Sequence, residues 1–405
     1  MARLRHLDIG SGRIYSPDLK PMNTRRLSGL AGFLILYAIA FPQIAAARSK
    51  SDKFTIHGQI RTGYYFIETR TNAGAVRKTP EGRLRARIGL TYRMSERLSF
   101  TARAAGRYST DQEKFEFWPH LYGSSPGGLR LGQTAFDMFH VQWTDGGRWM
   151  IQAGRMQHAF RLRGVIDKGL DRYHSSNVAI NWADGLWVRH LVHRDWYVHG
   201  IVQYNHPRGS TSVYTPPLDF SATGSRFSFF AALEGKDTSG LWNQREISIT
   251  LIPSSLRNTE GALMPYWVVT GRLGVNLPLN ISFMKIMIAG EAGYAWNAPL
   301  AAQLNLPPSG TGGDGAAAWQ ASLNFMNILG RQNVGFLYGS TDPGWLIAPS
   351  FRNNTNTVEV RHQYRFNRSL SSEVRYRVRN QLYAPQGASM KRRDADLYAR
   401  ITYRF

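Results

Sequence analysis

Residues 83–108 read RLRARIGLTYRMSERLSFTARAAGRY. Leu84, Ala86, Ile88, Leu90 and Tyr92 fall on one parity, and Arg83, Arg85, Arg87, Gly89, Thr91 and Arg93 on the other. After Met94-Ser95-Glu96 the alternation resumes, with Leu98, Phe100, Ala102, Ala104 and Tyr108 opposite Ser99, Thr101, Arg103 and Arg107. Period 2 is the spacing of a β-strand whose two faces meet different media. Two such runs of about ten residues around a tight turn make a hairpin long enough to cross a bilayer at a tilt.

Working outward, the same unit recurs to the end of the chain. The segments are Phe54–Thr69, Gly82–Arg93, Arg97–Tyr108, Gln133–Thr144, Arg148–Gln157, Ser176–Leu191, Asp195–Asn205, Arg226–Gly235, Trp242–Pro253, Pro265–Asn276, Leu279–Asn297, Ala316–Met326, Arg331–Ser340, Thr355–Phe366, Ser369–Leu382 and Asp394–Phe405, sixteen in all. Gaps after even segments hold six residues or fewer, and gaps after odd segments hold 11 or more, the longest being Ser109–Gly132. A closed all-β antiparallel transmembrane barrel of about 16 strands, with short periplasmic turns and long outer loops, predicts that asymmetry. A soluble sandwich gives no reason for it.

Composition agrees. The 405-residue chain is 43% hydrophobic and 12% aromatic, with 39 Gly and no Cys. That excludes disulfides, thiolate zinc sites and iron–sulfur clusters. The only long apolar run is Leu27–Ile44. It follows Met22-Asn23-Thr24-Arg25-Arg26 and precedes Ala45-Ala46-Ala47, the order of a secretory signal peptide cut after Ala47. A membrane anchor is the alternative, disfavoured by Pro42 and Gln43. Residues 1–47 are thus expected to be an upstream extension plus signal, with Met22 as a candidate start, and residues 48–405 a single barrel.

The apolar parity belongs to lipid, so the other lines a pore. The first three and last three segments are contiguous in a closed barrel. They place thirteen arginines on that parity: Arg61, Arg83, Arg85, Arg87, Arg103, Arg107, Arg361, Arg365, Arg375, Arg377, Arg379, Arg400 and Arg404. Four carboxylates face them: Glu359, Glu373, Asp394 and Asp396. The middle segments carry balanced polar residues there, among them Gln152, His199, Gln244, Glu246, Arg272, Glu291, Gln320 and Asn324. Clustered cations raise the local anion concentration in a channel, and guanidinium forks match carboxylate and phosphate. The alternative is a weakly selective pore, because Arg is abundant throughout, 41 against 9 Lys. Trp143, Trp149, Trp196 and Trp242 lie beside short turns, as in a periplasmic aromatic girdle.

The last segment alternates Leu397, Ala399, Ile401, Tyr403 and Phe405 and ends the chain on Phe405. Here the sequence resembles bacterial outer-membrane porins of the general class, whose final strand carries alternating apolar residues and a terminal Phe. The resemblance implies that Tyr403 and Phe405 are the signal read by the barrel assembly machinery. It implies surroundings of outer-membrane lipid and lipopolysaccharide, passive diffusion of small hydrophilic solutes, and a homotrimer. It also implies that the third outer loop, His158–Ser175, folds inward, making Arg161, Arg163, Asp167, Lys168, Asp171 and Arg172 constriction candidates; the alternative is a solvated charged loop. Gly154-Arg155, followed by Leu162-Arg163-Gly164, resembles the glycine–arginine signature of alginate-export-type porins, although Met156 stands before Gln157 where that family has Gln directly after Arg. This second resemblance implies export of an acidic polysaccharide, or a specific oxyanion channel, by a monomer.

Enzymatic readings find little support. His190 and His362 point outward without an identifiable Ser and orienting partner, and Asp111, Glu113, Glu116 and His120 share a loop at common spacing. HExxH and Walker motifs are absent. No cofactor, metal or nucleic acid is implied; a lumen location accounts for the formal charge of +23.

Overall fold

The computed structural model describes residues 53–109, 134–171, 182–204, 217–219, 226–235, 240–258, 260–279, 283–307, 315–348 and 350–405. The expectations for the segment before residue 48, for Arg172, and for most of the 109–132 loop lie outside these residues.

The described residues form sixteen antiparallel strands in one closed barrel. They are β1 (Phe54–Arg70), β2 (Val76–Arg93), β3 (Leu98–Ser109), β4 (Thr134–Thr144), β5 (Trp149–Met156), β6 (Ala183–His193), β7 (Trp196–Tyr204), β8 (Phe227–Gly235), β9 (Trp242–Arg257), β10 (Leu263–Asn276), β11 (Lys285–Trp296), β12 (Ala316–Ile328), β13 (Gln332–Thr341), β14 (Thr355–Arg365), β15 (Leu370–Gln381) and β16 (Arg393–Arg404). Every strand pairs with its sequence neighbours, and β1 pairs with β16 to close the seam, from Gln59↔Arg404 to Arg70↔Arg393. Within the closed ring each strand is paired on both sides, a condition hydrocarbon imposes on any β structure. The outward parity is apolar and exposed, for example Ile88, Leu90, Phe139, Val141, Ile247, Ile249, Phe336, Tyr338, Leu397 and Ile401. That is the face a bilayer requires.

Two hairpins run further than the periodicity suggests, and both contain prolines. β2 begins at Val76, leaving residues 71–75 as the connection from β1. Pro80 pairs with Phe66 on β1, whereas β2 meets β3 only from Arg83↔Ser109. At Pro80 the strand is therefore an edge, where a missing N–H costs no ladder bond. Likewise β9 continues through Pro253, beyond its last pair with β8 at Leu251↔Phe229. Its partner β10 absorbs Pro265 in a register shift between Met264 and Tyr266. The expected long gaps after β1 and β9 thus shrink to five residues each, 71–75 and 258–262. β11 starts later than expected, at Lys285, and β6 is described from Ala183.

Part of the interior is filled with apolar side chains. Towards the long-loop end, Ile252, Leu256, Tyr266, Val268, Ala295, Ala316, Ala318 and Leu337 point inward from β9–β13. Covering them are Trp345, Leu346, Ile347, Ala348 and Phe351 from the segment between β13 and β14, and Ile166 and Leu170 from the segment between β5 and β6. Each fully buried large apolar side chain contributes about 1.5–3 kcal/mol. Two outer loops are therefore part of the core.

Candidate functional site

The segment 157–171, which follows β5 and is called loop 3 below, folds across the barrel interior. Its stem packs Phe160 on Phe230 and His199, with ring centroids 4.4 and 5.0 Å apart. A bridge between Leu162 and Lys168 closes it into a small hairpin, Leu162 N–H to Lys168 O at 2.8 Å. One side of the hairpin meets β8 and β9: Arg163 pairs with Glu234, and its N–H donates to Gln244 Oε1 at 2.9 Å. The tip meets β12, where the Val165 N–H donates to Asn324 Oδ1 at 2.8 Å. Gly164 is tolerated there for a specific reason: its φ is +152° and a Cβ would sit 2.7 Å from Asn324 Oδ1. The far side meets β14, where buried Lys168 pairs with buried Glu359. Burial comes first in lowering the Lys168 ammonium from 10.5 to about 7, and Glu359 opposes it. Asp171 accepts from Ser248 Oγ at 3.0 Å and Thr250 Oγ1 at 2.6 Å, and faces Arg272 at 3.7 Å. Arg161 and Asp167 pair with each other at 2.8 Å.

The thirteen arginines named above all belong to the contiguous β14–β15–β16–β1–β2–β3 sheet, but they are not equivalent. Asp396 collects three: Arg375, Arg377 at 2.7 Å and Arg379 at 3.9 Å. Glu373 takes Arg400 at 2.9 Å and Arg361 at 3.6 Å, and Glu359 also binds Arg361. Arg375 and Arg400 flank the Tyr398 ring, 4.0 and 5.4 Å from its centroid, and the Tyr398 hydroxyl donates to Glu373. Arg85 donates to Gln59 Oε1 at 2.7 Å, and Arg107 lies opposite it on β3.

Two further carboxylates, missed by the alternation, join this sheet. Glu81 pairs with Arg83 from the stretch of β2 that Pro80 hid. Asp137 pairs with Arg87 and Arg103, each at 2.8 Å, and is fully buried. It points inward because β4 bulges: Arg103 faces Met138 while Ala104 faces Phe136, leaving Asp137 extra. A bulge inserts one residue and reverses parity beyond it. The signal was present in the sequence as Phe136 and Phe139, three apart yet both outward.

Arg61, Arg365 and Arg404 have no carboxylate partner among the described residues. All three line a cavity of about 270 Å3 with Arg161, Arg361 and Arg400, and only Asp167 and Glu373 supply negative charge there. Arg365 and Arg404 are the last residues of β14 and β16, so the cavity lies towards the short-turn end, below the loop 3 hairpin.

Gly154 has φ +118°, and a Cβ there would meet Phe139 O at 2.5 Å; only glycine fits this approach of β5 to β4. The following Arg155 pairs with Asp184 at 2.7 Å and lies 4.3 Å from the Trp182 ring centre. At the seam, Phe405 and Gly58 exchange backbone hydrogen bonds of 3.2 and 2.9 Å, and the Tyr403 and Phe405 rings lie 6.0 Å apart. Trp143 and Trp149 are exposed beside the β4–β5 turn, with Trp149 stacked 3.9 Å from His190.

The sequence matches no family model and no curated protein. The architecture, however, is shared with solved structures. OprB of Pseudomonas putida, in a high-pH structure, superposes with a TM-score of 0.56 at 9% identity, covering 87% of this chain and 94% of that one. The outer-membrane channel DcaP of Acinetobacter baumannii gives 0.55 at 13% identity over 88% and 99%. The fold is that of the outer-membrane porins. An anion-selective porin from Comamonas acidovorans also shares it, at a TM-score of 0.51 and 9% identity over 87% of this chain and 99% of that one. At such identities the likeness of this porin-fold barrel to its neighbours is one of architecture.

Proposed function

We propose that the chain is a bacterial outer-membrane porin, a channel through which small hydrophilic solutes diffuse passively, with anions favoured over cations. The observation that carries the preference is the cavity below loop 3. Six arginines face two carboxylates there, and three of the six have no carboxylate of their own. Outside the cavity Asp137, Asp396 and Glu359 neutralise much of the arginine charge. The selective element in this reading is therefore the narrow space between loop 3 and β14–β15–β16–β1, not the whole pore-lining sheet. Loop 3, with Arg161, Arg163, Asp167, Lys168 and Asp171, is the constriction. An uncompensated cluster in a confined, partly low-dielectric space attracts anions and repels cations.

The reading includes a mature chain starting at Arg48 after signal cleavage, insertion by the barrel assembly machinery through the Tyr403–Phe405 end, and contact with lipid and lipopolysaccharide along the apolar belt. It carries no catalytic step. Reversal potential across a planar bilayer in a KCl gradient tests it. Chloride permeability above potassium is expected, fading as salt rises and the Debye length shortens. A wild-type pore that prefers K+ rejects the anion reading.

A further inference from the structure

The cavity below loop 3 has an order that bulk anion preference does not require. Across the sheet, Arg365 on β14 lies opposite Ser371 on β15, Ser371 opposite Thr402 on β16, and Thr402 opposite Arg61 on β1. One row thus runs Arg–Ser–Thr–Arg, and all four residues line the cavity. Arg404, one strand position beyond Tyr403 and also on the wall, adds a third cation without a carboxylate. Arg61 is 7% exposed, and its Nε and Nη1 are buried without a hydrogen-bond partner. A buried guanidinium with orphan donors is costly unless something accepts from it. No apolar side chain larger than the Tyr364 ring lines the space; the remainder is hydroxyl, amide and charge.

From this row we infer that the cavity is a saturable binding site for a compact divalent oxyanion. The inference rests on the channel reading above and sharpens it from a preference for negative charge to a ligand class. Two negative charges match the excess of cations over carboxylates better than one does. The flanking arginines supply forked donors to oxygens, and the Ser371 and Thr402 hydroxyls can donate between them. Apart from the Tyr364 ring the lining is polar, which disfavours a fatty anion. The shared chemistry belongs to tetrahedral dianions such as sulfate and hydrogen phosphate and to short dicarboxylates such as succinate.

The test uses the whole barrel. In planar bilayers bathed in KCl, potassium sulfate or potassium succinate is added, with potassium nitrate and potassium acetate at equal ionic strength as monovalent controls. The dianions reduce chloride current along a saturating curve, and the monovalent salts do not. Whichever of sulfate and succinate saturates at the lower concentration identifies the source. Arg61→Gln raises the half-saturating concentration roughly tenfold, and Arg404→Gln, at an exposed position that does not risk the fold, shifts it the same way. Nitrate acting as strongly as sulfate, or both variants staying within about twofold of wild type, overturns the site. Equilibrium binding of radiolabelled sulfate and of radiolabelled succinate to the detergent-solubilised barrel separates the two readings. A K+-preferring pore that binds either dianion overturns the channel preference alone. A Cl−-preferring pore that binds neither overturns the site alone.

Discussion

The indole N–H of Trp345 donates to the carbonyl oxygen of Leu170 at 2.8 Å, both residues buried, so two outer loops are fastened to each other inside the barrel. Tyr266 adds a strap from β10: its hydroxyl donates to Gly344 O at 2.9 Å and accepts from the Leu346 N–H at 3.0 Å. Loop 3 is therefore held by the loop beside it as well as by the barrel.

Trp345→Ala should release that hold. Removing a large buried aromatic costs about 3–5 kcal/mol, and here it also orphans the Leu170 carbonyl. The expected result is a barrel that still forms, because its strands are untouched, but with noisier and larger unitary currents. Unchanged open-channel noise would show that loop 3 needs no help from the β13–β14 segment.

Lys168 makes loop 3 docking sensitive to pH, and the sign follows from its lowered value. Docked among Glu359, Arg361, Arg375 and Arg377, the ammonium gives up its proton near 7. In water it holds it to about 10.4. Between those values the undocked loop binds more protons, so docking tightens as pH rises from 7 to 10 and is weakest at and below 7. Limited proteolysis within loop 3 should be slower at pH 9 than at pH 6, and Lys168→Met should abolish the difference. The Met variant loses a charged hydrogen bond worth about 1.5–3 kcal/mol, while Glu359 keeps Arg361.

Asp396→Asn probes the neutralised part of the sheet. It leaves Arg375, Arg377 and Arg379 without their shared carboxylate. The pore should favour Cl− more strongly, read as a larger reversal potential. Stability should fall by about 3 kcal/mol, the cost of an uncompensated buried charge, read as an earlier loss of heat-modifiable gel mobility. An unchanged reversal potential would mean that these arginines play no part in permeation.

Gly154→Ala forces a Cβ against Phe139 O at a φ of +118°. A strained backbone of this kind costs about 1–3 kcal/mol. The same gel assay should show a lower melting temperature with selectivity unchanged, because Gly154 does not line the arginine cavity.

The barrel was legible because each strand meets hydrocarbon on one side and polar groups on the other, which writes the fold as simple alternation. Sixteen strands and their parity follow from that pattern, as at Leu84–Tyr92 and Leu397–Phe405. Where one strand continues as an edge, proline no longer marks an end, and so Glu81 escaped notice. Where a bulge slips the parity, one residue changes side, and so Asp137 did. Interior packing was least legible. Trp345-Leu346-Ile347-Ala348 is too short and aperiodic to declare a buried loop, and its partners on β9–β13 read locally as ordinary strand residues. The division of arginines into paired and unpaired is likewise a matter of cross-strand register, which no single strand encodes.

The seam between β1 and β16 also bears on time. Thr69 and Asp394, hydrogen-bonded at 2.8 Å across it, are 325 residues apart in the chain. Contacts so distant in sequence are slow to form, because nearly the whole polypeptide must be in place before they reward the ordering of either end. Until the final strand arrives, β1 is an open edge with a row of unanswered donors and acceptors, prone to pair with the wrong neighbour. The chain must therefore be kept from collapsing throughout its passage to the membrane, and truncating even its last strand should yield aggregate in place of a smaller barrel.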